Sequence, residues 1–269
     1  MSDSRVRTER QPVSVSDFQK MIFDLGEIPE TKAILLHGDN NTGKTRLAGS
    51  LPGRNCWLLG EPGYKTASVR GAMAKAAFIN DTAIAWAATD WLEGVNPKTK
   101  KLRCESFDWV VLDGASTMEK KFRRGYAAEA WDRSPETKRA RAGRNLPDRP
   151  DYFNTQNFVQ SWIGRLVDLP VNLLITAHSY RTDRSDSDLL VFPGFQGGVT
   201  ETANAIAGLM DVVGYMAVRP GNQYKTLFRR HTDKGGTQYW AGDKFDRLPA
   251  VMTNPTMPDI LRILDGEKE

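Results

Sequence analysis

A short apolar run, AILLH, leads directly into GDNNTGKT at residues 38–45, followed by RLAG. The octapeptide has the spacing Gly38, four residues, Gly43, Lys44, Thr45, which is that of a phosphate-binding loop between a strand and a helix. Such a loop curls so that successive backbone N–H groups face one phosphate, and glycine allows the close approach. The next helix adds its own free N-terminal donors. Lys44 then presents an ammonium to the β and γ phosphates, and the Thr45 hydroxyl is placed for magnesium. The competing account is a turn in a glycine-rich chain, since 23 of the 269 residues are glycine. The flanking strand and helix favour the cradle, for which residues Gly38, Asp39, Asn40, Asn41, Thr42, Gly43, Lys44, Thr45 and Arg46 are the binding candidates.

Three later stretches repeat one arrangement, an apolar run followed by a polar residue: NCWLL before Glu61, FDWVVLD ending in Asp113, and VNLLITAH ending in His178. Open parallel sheets collect ligands beyond the carboxyl ends of their strands. Asp113 is the candidate for holding a magnesium-bound water, against a plain turn or cap role. Glu61 is the candidate for orienting or deprotonating an attacking water, against a solvent-facing turn glutamate. His178 is the candidate for sensing the γ-phosphate, against a structural histidine. Apolar strands alternate with helical patterns, and glycine turns separate short strands near the carboxyl end. The expected fold is therefore α/β, a mainly parallel sheet with an antiparallel carboxyl-terminal extension.

Residues 1–16 are polar and read as a flexible amino-terminal arm, with one domain over 17–269. Residues 69–92, rich in alanine, read as one broken helix or two short ones. NTQNFVQSWIGRLVDLP reads as a one-faced helix capped at Asn154 or Thr155 and bounded by Pro170; SYRTDRSDSDLLVFPGFQGG reads as a loop. Residues 119–149 carry ten Lys or Arg against five Asp or Glu and read as an exposed, partly helical and mobile basic insertion. There Lys120, Lys121, Arg123, Arg124, Lys138, Arg139, Arg141 and Arg144 interleave with Tyr126 and Trp131. Cations that neutralise phosphates beside aromatic faces that stack on bases suit single-stranded nucleic acid, although a solvated charged face has the same composition. A formal net charge of +4 adds little to that argument. Cys56 and Cys104 have no ligand-like spacing, and no signal or membrane-spanning run is visible.

Together, LLHGDNNTGKTRLAGSLPG, the glutamate of WLLGEPG, FDWVVLDGAST, LPVNLLITAHS, LMDVVGYMAV and AGDKFDRLP resemble the RecA-like P-loop ATPases of tailed phages that include single-strand annealing and recombination proteins. The likeness spans residues 31–264. It implies a RecA-like core using ATP and Mg2+, Glu61 as catalytic glutamate and His178 at the sensing position. It further implies rings or filaments on single-stranded DNA in the cytoplasm of an infected host, away from membranes, with ATP near a subunit boundary. A basic residue from the neighbour often completes such sites. Lys244 best matches that late motif, and Arg247 is second, though the usual order of lysine, acid and arginine is altered here. A phage single-strand-binding or replication protein is an expected partner. An accessory replication or packaging ATPase, or a non-hydrolysing assembly factor, are the alternatives.

Overall fold

The computed structural model describes residues 30–62, 73–134, 143–144, 146–185, 188–196, 201–219, 221 and 223–267. The chain divides into two units, Met1–Glu30 and Thr31–Glu269, and the architecture below is that of the second. The expected arm at 1–16 lies outside the described residues.

The fold is a mixed α/β structure around a mostly parallel sheet. Strand β1 (Ala33–Gly38) is buried at every position. It lies between β5 (Asn172–Ser185) and β7 (Val212–Arg219), parallel to both. Beyond β5 come β4 (Trp109–Asp113), β2 (Asn55–Leu59) and the edge strand β3 (Met73–Phe78), all parallel. On the other side β8 (Gln223–Leu227) and β12 (Val251–Thr253) continue the sheet antiparallel, as expected for the carboxyl-terminal part, and β11 (Gly242–Asp243) pairs with the start of β7. Strands buried on both faces read as continuous apolar runs, which is why AILLH, NCWLL and WVVL are so uniform.

Six helices cover the described sheet. On one face lie α1 (Lys44–Ala48) and α6 (Met257–Leu264), packing Leu47, Ile260 and Leu264 on Ile34, Leu36 and Val111. The other face holds α2 (Thr82–Glu93), α3 (Ala115–Arg133), α4 (Arg149–Val167) and α5 (Glu201–Leu209), over Leu35, Val110, Leu112 and Ile175. Among the described residues no helix is long and apolar enough to cross a membrane.

Four sequence expectations are corrected. The alanine-rich stretch is not helical throughout: Met73–Phe78 is strand β3, and only Thr82–Glu93 is helix. Pairing with β2 supplies the backbone hydrogen bonds there and overrides helix propensity. The basic segment is helical, as α3, as far as Arg133, but it is not exposed throughout: Glu119, Phe122, Arg123 and Ala127 are buried. Phe122 meets Phe158 and Trp162 at ring separations of 5.0 and 5.6 Å, and this aromatic contact holds the segment down. Residues 135–142 and 145 lie outside the described set. Helix α4 begins before Asn154, at Arg149, because Asp148 and Asp151 form a reciprocal capping box with Pro150 in the first turn. Finally, the segment after His178 is no loop: β5 runs to Ser185 and returns antiparallel as β6 (Asp188–Pro193).

Candidate functional site

The carboxyl ends of β1, β4 and β2 and the middle of β5 converge on one cavity of about 750 Å3, lined by residues 40–46 together with Glu61, Thr117, Thr176, His178 and Tyr224. The loop after β1 curls through a left-handed Asn41 (φ 61°) and Gly43 (φ 87°). Gly43 faces the Tyr224 ring so closely that a Cβ there would lie 2.7 Å from it. Lys44 Nζ folds back onto the loop, donating to the carbonyls of Gly38 at 2.9 Å and Asp39 at 2.7 Å. Burial lowers its pKa, opposed by the carboxylates of Glu61, Asp113 and Asp39. Asp39 itself is ion-paired to Arg181 at 2.6 Å, both half-exposed. Arg46 lies 5.2 Å from the Tyr224 ring centroid.

Asp113, at the tip of β4, is 2% exposed. Its Oδ1 accepts from Thr45 at 3.0 Å and from Thr176 at 2.7 Å. Its Oδ2 is buried and finds no hydrogen-bond partner. Burial raises the Asp113 pKa, which those two hydroxyls partly offset. Because β5 separates β1 from β4, Thr176 on β5 reaches Asp113 while donating nothing to its own strand; Gly114 N in turn donates to Thr176 Oγ1 at 2.9 Å.

Glu61 lies just past β2 against the first turn of α3. Gly114, with φ 85°, makes room for it, since a Cβ at that position would lie 2.7 Å from Glu61 Cγ. The Glu61 carboxylate accepts from Thr117 Oγ1 and from His178 Nε2, the latter at 2.8 Å. The hydrogen bond from His178 is the main reason its pKa falls to about 2, against the opposing effect of burial. The backbone N–H of His178 donates to Ser116 Oγ at 3.0 Å, so the same helix turn fixes both ends of the pair.

These residues fit a nucleoside triphosphate with magnesium. The left-handed loop and the helix start present N–H groups to an anion. Asp113, with Oδ2 unpartnered and Oδ1 bonded to the Thr45 hydroxyl, sets a carboxylate and a hydroxyl together, the oxygen donors a hard cation would take. A family model for the AAA domain matches residues 30–238. The chain belongs to the AAA domain family. AAA domains are P-loop ATPases, with ATP and Mg2+ as their general cofactors, so nucleotide hydrolysis is the activity the family implies. No curated protein matches the chain.

The sequence-predicted residues 40–46, Glu61, Asp113 and His178 meet at this AAA domain site, with Gly38 contributing a carbonyl. Lys244 and Arg247 do not join it within their own chain. They follow β11, which pairs with the amino-terminal end of β7, across the sheet from the cavity. There Lys244 Nζ donates to Gly208 O at 3.0 Å at the end of α5, and Arg247 donates to Leu264 O at the end of α6. Several expected nucleic-acid contacts are likewise engaged elsewhere. Lys121 donates to Gly60 O and Asn80 Oδ1, both at 2.9 Å. Arg123 is buried, donating to Gln196 and lying 4.5 Å from the Tyr152 ring centroid. Tyr126 packs on the core, and Arg144 pairs with Asp132. Lys120 and Arg124 remain exposed, Trp131 is half-buried, and Lys138, Arg139 and Arg141 lie outside the described residues.

Sequence reasoning missed Thr176, Thr117 and Tyr224. Thr176 carried a readable signal: a hydroxyl inside an apolar strand, two residues before His178 and therefore on the same face.

Proposed function

We propose that the chain is a magnesium-dependent ATPase that binds and anneals single-stranded DNA in phage recombination, working as a homo-oligomeric ring or filament. The observation that carries the ATPase half is the partnerless Oδ2 of Asp113 beside Thr45, with the Glu61–His178 pair across the same cavity. Thr45 and Asp113 would hold magnesium, whose chemistry there is neutralisation of charge on the β and γ oxygens. Lys44 leaves the carbonyls of Gly38 and Asp39 for the phosphates. Glu61, ionised at all physiological pH, polarises and orients the attacking water through the oxygen not committed to His178 and Thr117. His178 links that carboxylate to the β5–β6 hairpin, so loss of the γ-phosphate alters a contact shared with the strand that leaves the site.

The DNA half is supported by the ordered strand-end motifs that resemble phage annealing proteins and by the exposed Lys120 and Arg124 on α3. Turnover is measured with and without single-stranded DNA. Stimulation that disappears in Lys44→Ala, with the circular dichroism spectrum unchanged, is the expected result. Hydrolysis indifferent to DNA, together with DNA binding indifferent to nucleotide, would overturn the recombination reading. ATP affinity unchanged in Lys44→Ala would overturn the cradle.

A further inference from the structure

Away from the nucleotide cavity, a small three-stranded layer extends from the β5–β6 hairpin. Strand β9 (His231–Thr232) turns into β10 (Gln238–Tyr239), which pairs parallel with β6. The turn is rigidly made. Asp233 Oδ1 accepts from the N–H groups of Gly235 and Thr237, both at 2.9 Å, and Oδ2 accepts from Tyr239 OH at 3.0 Å. Tyr239 is thereby fixed by its own hairpin, and the His231 ring stacks on it with 22° between planes. Next to it the Arg230 guanidinium lies 5.4 Å from the Trp240 ring centroid. These four side chains, with Asn204 and Gln238, line a cavity of about 280 Å3.

We propose that this cavity receives an unpaired nucleobase of a single strand, with Arg230 on the adjoining phosphate. The proposal rests on the reading of the chain as a single-strand-binding ATPase and assigns it a site other than helix α3. The exposed His231 ring offers an outer face on which a base stacks, the Tyr239 ring beneath it being backed in turn by Tyr215 at 4.7 Å. An exposed arginine over tryptophan supplies the cation at the rim. No acidic side chain lines the described cavity, which favours an anionic ligand.

The cavity is also tied to the nucleotide site by main-chain contacts. Trp240 N donates to Val191 O at 2.9 Å, and Trp240 O accepts from His37 Nε2 at 2.6 Å. A carbonyl only accepts, so Nε2 carries the proton and Nδ1 takes the hydroxyl of Ser179 at 2.9 Å. Ser179 follows His178, and His37 precedes Gly38. A base held beside Trp240 therefore bears on β1 just before the phosphate cradle and on β5 just past His178.

The test uses the full chain with magnesium and a slowly hydrolysed ATP analogue. Binding of fluorescein-labelled oligo(dT) and oligo(U) is followed by anisotropy for wild type, Arg230→Ala, Trp240→Ala and Trp240→Phe, with a mononucleotide as competitor. Arg230→Ala and Trp240→Ala are each expected to weaken oligonucleotide binding about tenfold, with Trp240→Phe close to wild type and ATP-analogue affinity unchanged in all. An oligonucleotide carrying 5-iododeoxyuridine is expected to crosslink within residues 230–240. Arg230, being exposed, tests the site even where Trp240→Ala folds poorly. The preference between oligo(dT) and oligo(U) assigns the strand as DNA or RNA. Full affinity in Arg230→Ala with crosslinks on Lys120 or Arg124 would overturn this site and leave the DNA reading standing. A wild-type chain that binds neither oligonucleotide would overturn both. A mononucleotide that competes as well as the oligomers would assign the cavity to a free nucleotide instead.

Discussion

Glu61 has one oxygen committed to both His178 and Thr117, and its pKa of about 2 makes it a poor acceptor of a full proton at neutral pH. Orientation of water is the task such a carboxylate performs well, and it is lost when the charge is removed even if the shape is kept. Glu61→Gln retains an oxygen for His178 and Thr117, so the fold and ATP affinity should be unaffected. Single-turnover hydrolysis should fall by about 10²–10⁴-fold, the usual loss on removing such a group. A rate within threefold of wild type would place the water elsewhere. Lys44 and Thr45 were legible in the sequence from the glycine spacing of the loop, and Asp113, Glu61 and His178 because each stands where an apolar run stops. Thr117 was hidden, since nothing in GAST distinguishes a ligand-fixing hydroxyl from an ordinary helix start. Tyr224 was hidden because a β-hairpin brings it over Gly43 from far along the chain.

Helix α3 joins the two functions of a single element: its first turn fixes Glu61 and His178, and its body buries a carboxyl. Glu119 is 1% exposed, accepts from Gln196 N at 2.9 and 3.0 Å, and is pushed by burial from 4.5 to about 7. A carboxyl whose folded pKa is raised binds more protons in the folded than in the unfolded state between those values. Its contribution to stability is complete below pH 4.5 and is lost as pH rises through 7, a swing of about 3 kcal/mol at one pKa unit per 1.36 kcal/mol. Glu119→Gln keeps an acceptor for Gln196 N and abolishes the titration. Urea unfolding at pH 5 and pH 8 should therefore show the variant gaining relative to wild type at the higher pH, by an amount of that order. A difference that stays constant with pH would refute the buried-carboxyl account. The sequence concealed the buried face of this helix because its charges obscured the spacing of Ala115, Met118, Phe122 and Tyr126 that marks it. It concealed β3 for the opposite reason, since alanines exposed at a sheet edge carry a helical propensity that strand pairing overrules.

At the scale of the whole molecule, the basic residues of the cavity are Lys44 and Arg46 among the described lining, while Lys244 and Arg247 lie beyond the far end of the sheet. One chain cannot bring either pair to the other without dismantling β11 and its contact with β7. If the late basic residues act on nucleotide, they act on a neighbour's, and the site is complete only between subunits. That geometry makes a definite prediction about mixtures. Lys44→Ala retains the donating face and loses its own cradle; Arg247→Ala retains the cradle and loses the donating face. Each alone should hydrolyse ATP poorly, and mixing them should create interfaces where an intact cradle meets an intact Arg247. Activity should then rise above the sum of the separate variants and depend on total protein concentration, as association requires. The same pair made with Lys244→Ala distinguishes which cation crosses the boundary. Additive activity in both mixtures, with each basic variant showing only a lower unfolding midpoint, would instead leave Lys244 and Arg247 as cations closing the carboxyl ends of α5 and α6, where they already bind Gly208 O and Leu264 O.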